Sequence, residues 1–198
     1  MNSQHKKNKI TILVIFAMSI IPFGIAWYFA SNPEMLTLGK SNGDLITPPL
    51  TSEIRDFTGY DQFSADNIKE LSGHWVLINL LPESACHEVC VEALYKTQQI
   101  SLMLGKDISR VRRVAALYSK TDHPVFNAEW QADGHLLKMV LSPALQEKVN
   151  SVLATPLAEG MLLLMDPLGN LMMKYPSGYD AYKVKSDISK LLRISQIG

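Results

Sequence analysis

Apolar and polar positions divide the chain into a long uncharged run, a stretch rich in turn residues, and an alternation of short apolar segments with amphipathic ones. Residues 10–30, ITILVIFAMSIIPFGIAWYFA, carry no charge. At about 1.5 Å per residue they cover roughly 30 Å, one bilayer core, so the run predicts a membrane-spanning helix. Residues 31–56 hold Pro33, Pro48, Pro49, Gly39 and Gly43 without a helical period. They read as a tether with a short extended segment at 44–47. Beyond residue 57 the apolar run 75–81, closed by Pro82, predicts a strand. A helix follows over 86–104, with Cys90, Leu94 and Leu104 near one face and Gly105 placed to end it. Residues 111–117 form the next strand, with Arg112 and Arg113 near an exposed end, and the polar stretch 119–134 reads as a long loop. A short strand over 136–140 leads to Ser142 as helix cap and Pro143 as first residue of a helix reaching 153. Strands at 161–165 and 171–174 flank Asp166-Pro167-Leu168-Gly169, which suits a type I turn. A final helix over 179–194 shows an apolar stripe of Ala181, Val184, Ile188 and Leu191.

Strand, helix, strand, helix, hairpin, helix is the element order of a thioredoxin-like α/β fold, a central mixed sheet flanked by helices, here preceded by one transmembrane helix. The expected organisation is a cytoplasmic tail (1–9), a transmembrane anchor (10–30), a tether (31–56) and a thioredoxin-like extracytoplasmic domain (57–198). Lys6, Lys7 and Lys9 precede the span, and no positive charge follows it over 31–34. The positive-inside rule then places the N-terminus in the cytoplasm and the domain outside. A cleaved signal peptide is the competing reading, but the run exceeds an ordinary signal core and no Ala-x-Ala pattern precedes Ser31. Acidic and basic residues number 19 each, for a formal net charge of zero, which gives no footing for nucleic acid.

Chemistry concentrates at one place. Cys86 and Cys90 are the only two cysteines, spaced i and i+4 where the first strand delivers the chain to a helix. On a continuous helix that spacing sets their Cβ atoms about 5–6 Å apart, whereas a disulfide prefers about 3.8 Å. Three readings stay open: a reactive pair activated by the helix N-terminus, a two-thiolate site for a soft ion such as Cu(I), and a structural disulfide suited to an oxidising compartment. Glu83 and Glu88 add negative charge beside the pair. Met161, Met165, Met172 and Met173 read as core packing, and Lys183, Lys185, Lys190 and Arg193 as a solvated helix face.

Gly73-His74-Trp75-Val76-Leu77-Ile78-Asn79 followed by Cys86-x-x-x-Cys90, with Leu164-Met165-Asp166-Pro167-Leu168-Gly169-Asn170, resembles the Sco/SenC family. These are membrane-anchored thioredoxin-fold proteins that help to build the CuA centre of cytochrome c oxidase, and the resemblance spans roughly 57–192. Three segments together are more closely similar to the single-span Sco-like proteins encoded among proteobacterial cytochrome oxidase assembly genes. They are Asn42-Gly43-Asp44-Leu45-Ile46-x-Pro48-Pro49, the cysteine pair, and the tail from Asp166 to Pro176 with 191–195. The resemblance implies a bacterial inner-membrane protein with a periplasmic domain. Its Cys86 and Cys90 would carry Cu(I) or reduce the cysteines of the CuA site, and its partner would be a cytochrome c oxidase subunit or another assembly factor. It also implies a histidine ligand in the loop before the hairpin, near Ala158, but the residues there are Pro156-Leu157-Ala158-Glu159-Gly160. His87, His123 and His135 are the weak replacement candidates. The cis-proline of thioredoxin-type oxidoreductases is likewise missing where Gly160-Met161 stands. These departures keep a second class in view, a non-catalytic scaffold or partner-binding module with a structural disulfide.

Overall fold

The apolar run at the N-terminus is one helix, α1 (Asn2–Ser31), in the computed structural model of the protein, which describes residues 2–32, 41–81, 86–120, 125–153, 157–195 and 197. Its portion Lys9–Ser31 is long and apolar enough to cross a membrane. The chain divides into two units, Met1–Lys40 and Ser41–Gly198.

The second unit is built on seven strands: β1 (Asp44–Thr51), β2 (Phe57–Gly59), β3 (Trp75–Leu81), β4 (Val111–Leu117), β5 (Leu136–Leu141), β6 (Leu162–Met165) and β7 (Asn170–Tyr175). Their order across the sheet is β1-β7-β6-β3-β4-β5-β2. The strands β3, β4 and β5 run parallel, and the other neighbours are antiparallel. Among the described residues the α-helices of this unit are α2 (Gln62–Asp66), α3 (Glu88–Met103), α4 (Ala128–Ala132), α5 (Pro143–Val152) and α6 (Ala181–Ile194). The central strand β3 is buried at every position because both faces are covered. Val76, Ile78 and Leu80 meet Leu145 and Val149 of α5, while Trp75 and Leu77 meet Ala93 and Ile100 of α3 and Val184, Ile188 and Leu192 of α6. Burying those three α6 side chains contributes about 5–9 kcal/mol of gross transfer free energy.

Several expectations give way to tertiary contacts. Asp44–Thr51 belongs to the sheet rather than to a tether, because Ile46 is buried and the strand pairs with β7. The ladder shifts between Leu45 and Leu50, around Pro48 and Pro49; an edge strand tolerates prolines that a central one would not. The buried carboxylate of Asp187 fastens the start of this segment, accepting from Asn42 N at 2.7 Å, Asn42 Nδ2 at 2.9 Å, Gly43 N at 3.1 Å and the Tyr175 hydroxyl at 3.2 Å. The long loop expected over 119–134 contains α4, capped by Asn127 and holding the buried Trp130. Arg113 is buried rather than near an exposed end. It pairs with Asp133 at 3.0 Å and lies over the Trp130 ring.

Candidate functional site

The site stands where β3 ends and α3 begins. The helix starts at Glu88 with His87 in an extended conformation at its cap, so Cys86 lies outside it. That one change from a continuous helix lets the sulfurs meet: Cys86 and Cys90 form a disulfide with their Cα atoms 5.2 Å apart. The two cysteines are unequal. Cys90 is 1% exposed within a cluster of Leu81, Leu94, Ala115, Leu117, Val125, Phe126 and Trp130, whereas Cys86 is only partly buried against that cluster. The Cys86 N–H donates to the Val125 carbonyl at 3.2 Å, tying the cysteine segment to the chain that leads into α4.

A second loop closes on the helix start. The Glu159 carboxylate accepts the His87 N–H at 2.9 Å. Gly160, beside it, adopts φ +80° and approaches so closely that a Cβ would meet Val89 Cγ1 at 2.8 Å and the Val89 carbonyl at 3.2 Å. Beneath α3, buried polar groups hold the helix in register on the sheet. The Thr97 hydroxyl reaches Asn79 Oδ1 at 3.0 Å, the Asn79 amide reaches the Tyr179 hydroxyl at 3.4 Å, and that hydroxyl donates to the Ala93 carbonyl at 3.0 Å. Burial pushes the Tyr179 phenol well above its ordinary pKa. Burial also lowers the Arg113 guanidinium, against the pull of the neighbouring Asp133 carboxylate, and Arg113 Nη2 reaches the Leu94 carbonyl at 3.4 Å.

The candidate residues separate accordingly. Cys86 and Cys90 come together. His87 is exposed at the cap, and its side chain makes no capping bond. His135 sits at the far end of the sheet, in the wall of a cavity of about 540 Å³ beside Gln98 and Leu102; Gln98 is eight residues, about 12 Å, along α3 from Cys90. His123 lies outside the described residues. Ala158, where the resemblance implies a histidine, is exposed. Among the described residues no three His, Cys, Asp or Glu side chains group as a metal site. The four methionines do not converge on the cysteines: Met161 and Met165 pack in the α5-side cluster, Met172 and Met173 in the cluster under α3 and α6. Glu159 escaped the sequence reading because its partner is 72 residues away and no local pattern marks the pair.

Residues 75–195 match a family model described as transmembrane-like, thioredoxin-like, C-terminal domain. No curated protein matches the sequence. Among solved structures, the chain is similar to the apo Sco1 protein of Thermus thermophilus at 15% identity and a TM-score of 0.54, covering 78% of this chain and 99% of that one. It is also similar to Bradyrhizobium japonicum ScoI with copper bound, at 20% identity and a TM-score of 0.44, covering 62% of this chain and 87% of the other. A third is BsSco, described with a disulfide switch as a member of the Sco family of cytochrome c oxidase assembly proteins, at 11% identity and a TM-score of 0.49, covering 80% and 99%.

Proposed function

The chain belongs to the family of transmembrane-like proteins with a thioredoxin-like C-terminal domain, and from that premise we propose that it is a membrane-anchored, Sco-like assembly factor working through Cys86 and Cys90. Its task in this reading is to reduce the paired cysteines of a cytochrome c oxidase subunit so that the CuA site can receive metal. The supporting observation is the asymmetry of the pair: a partly exposed Cys86 outside the helix and a sealed Cys90 inside it. In the dithiol form the Cys86 thiolate attacks one sulfur of the partner disulfide, forming a mixed disulfide and releasing one partner thiolate. The Cys90 thiolate then attacks Cys86 Sγ and releases the second. Two electrons pass to the partner, the two partner thiolates take up protons from water, and the protein is left as the observed disulfide; an extracytoplasmic dithiol reductant must restore it.

The structure of Bradyrhizobium japonicum ScoI has copper bound. In the dithiol form Cys86 and Cys90 would supply two soft donors, but among the described residues no third His, Cys, Asp or Glu groups with them, and Glu159, a hard oxygen donor, is engaged by His87 N. Thiol exchange needs only the two sulfurs. The charge pattern around the span supports a cytoplasmic N-terminus and a periplasmic domain, where an oxidase subunit and its disulfide would be met.

The test is the reduction potential of the full chain in detergent, measured by equilibration with dithiothreitol. A value above about −300 mV is expected. A lower value would mark a structural disulfide and favour a non-catalytic scaffold, for which the buried Cys90 is the supporting feature. In cells, Cys86→Ser should lower the amount of assembled CuA, and wild-type levels would remove the thiols from that pathway.

A further inference from the structure

The N-terminus of α3 is the electrostatic feature that would act most directly on the cysteines. A helix start presents free N–H groups and about half a positive charge, and that field stabilises a nearby thiolate. In this protein an anion already occupies it. Glu159 accepts from the N–H of His87, the residue next to Cys86, and Gly160 pins the same segment onto Val89. The arrangement joins two segments that are remote in the chain, and the close approach of Gly160 to Val89 fixes the backbone beside Glu159.

We infer that Glu159 is a positioning residue that sets the redox poise of the Cys86–Cys90 pair, making its dithiol a stronger reductant. Reduction adds two electrons and two protons to the disulfide and gives two thiols, and the helix start favours the thiolate of the one beside it, Cys86. Glu159 disfavours that form in two ways: it holds the His87 N–H, and it adds negative charge within one residue of the sulfur-bearing position. Equilibrium shifts toward the disulfide, so electrons leave the pair more readily. This inference rests on the reading of the pair as redox-active.

The measurement is the equilibrium constant for reduction of the full chain by dithiothreitol, in detergent at neutral pH. Glu159→Gln keeps the length and the acceptor oxygen but loses the charge. It should raise the constant about tenfold, equivalent to about 30 mV for a two-electron couple. Glu159→Asp should return toward wild type. Glu88→Gln, which removes an exposed charge in the first turn, should change the constant less than twofold, because Glu159 is the carboxylate that holds the His87 N–H. High salt gives a check without mutation: about 1 M ionic strength, with a screening length near 3 Å, should raise the wild-type constant and leave Glu159→Gln nearly unchanged. A Glu159→Gln constant within twofold of wild type, or a Glu88→Gln effect as large, would overturn the role of Glu159. The wild-type potential alone judges the redox reading, and the ratio of variant to wild type alone judges this inference, so either can fail without the other.

Discussion

Replacing Asp187 by alanine tests whether residues 41–51 belong to the folded unit or merely lead to it. The carboxylate accepts four hydrogen bonds, two from Asn42, one from Gly43 N and one from the Tyr175 hydroxyl. Asn42 is exposed, so water can serve its donors once the carboxylate is gone. Gly43 and Tyr175 are buried, and each stranded donor costs about 1–3 kcal/mol. Removing a buried charge returns part of that, which leaves an expected loss of about 3 kcal/mol. For a unit of this size the loss corresponds to about 6–12 °C in Tm. Tyr175→Phe provides the graded comparison: it deletes one donor and strands none, so about 1 kcal/mol is expected. Urea unfolding of the full chain in detergent, followed by fluorescence of the buried Trp75 and Trp130, gives both numbers. An Asp187→Ala loss below about 1 kcal/mol would refute the claim that this carboxylate fastens β1 to the domain.

Three further outcomes are expected. Gly160→Ala must place a Cβ against Val89 at a φ of +80°, which costs about 1–3 kcal/mol and should appear as a lower urea midpoint; an unchanged midpoint would show that the loop relaxes freely. Cys90→Ser should leave a Cys86 thiol that iodoacetamide alkylates at least about tenfold faster than it does the Cys90 thiol of Cys86→Ser, because Cys90 is sealed; equal rates would contradict the assigned asymmetry. Burial lifts the Tyr118 phenol to about 12 and raises Tyr175 and Tyr179 as well, above the ordinary value of about 10. The folded state then keeps these protons longer than the unfolded one, so this stabilisation is complete below about pH 10 and is lost as pH rises through the folded values. Absorbance at 295 nm should show the three phenols ionising only as the fold is lost; their ionisation at pH 10 with the near-ultraviolet circular dichroism intact would rule this out.

The features legible from the residues alone are local. A charge-free run of bilayer length, strands bounded by turn residues at 75–81 and 111–117, the hairpin around Asp166–Asn170 and the stripe of α6 all follow from periodicity and punctuation within a few residues. The place of both cysteines at a strand-to-helix turn follows in the same way. Tertiary structure decided what depends on partners remote in the chain. Residues 44–51, with their prolines, look like linker until Asp187 and β7 supply bonds more than a hundred residues away. Arg113 looks like an exposed charge until Asp133 and Trp130 enclose it. The start of α3 after Cys86, which closes the disulfide, comes with the contacts of Val125 and Glu159 to either side of the Cys86–His87 peptide. A hydrogen bond across 72 residues imposes no spacing rule on the sequence, so the charge that faces the helix start, and with it the electrostatics of the cysteine pair, belongs to the folded chain alone.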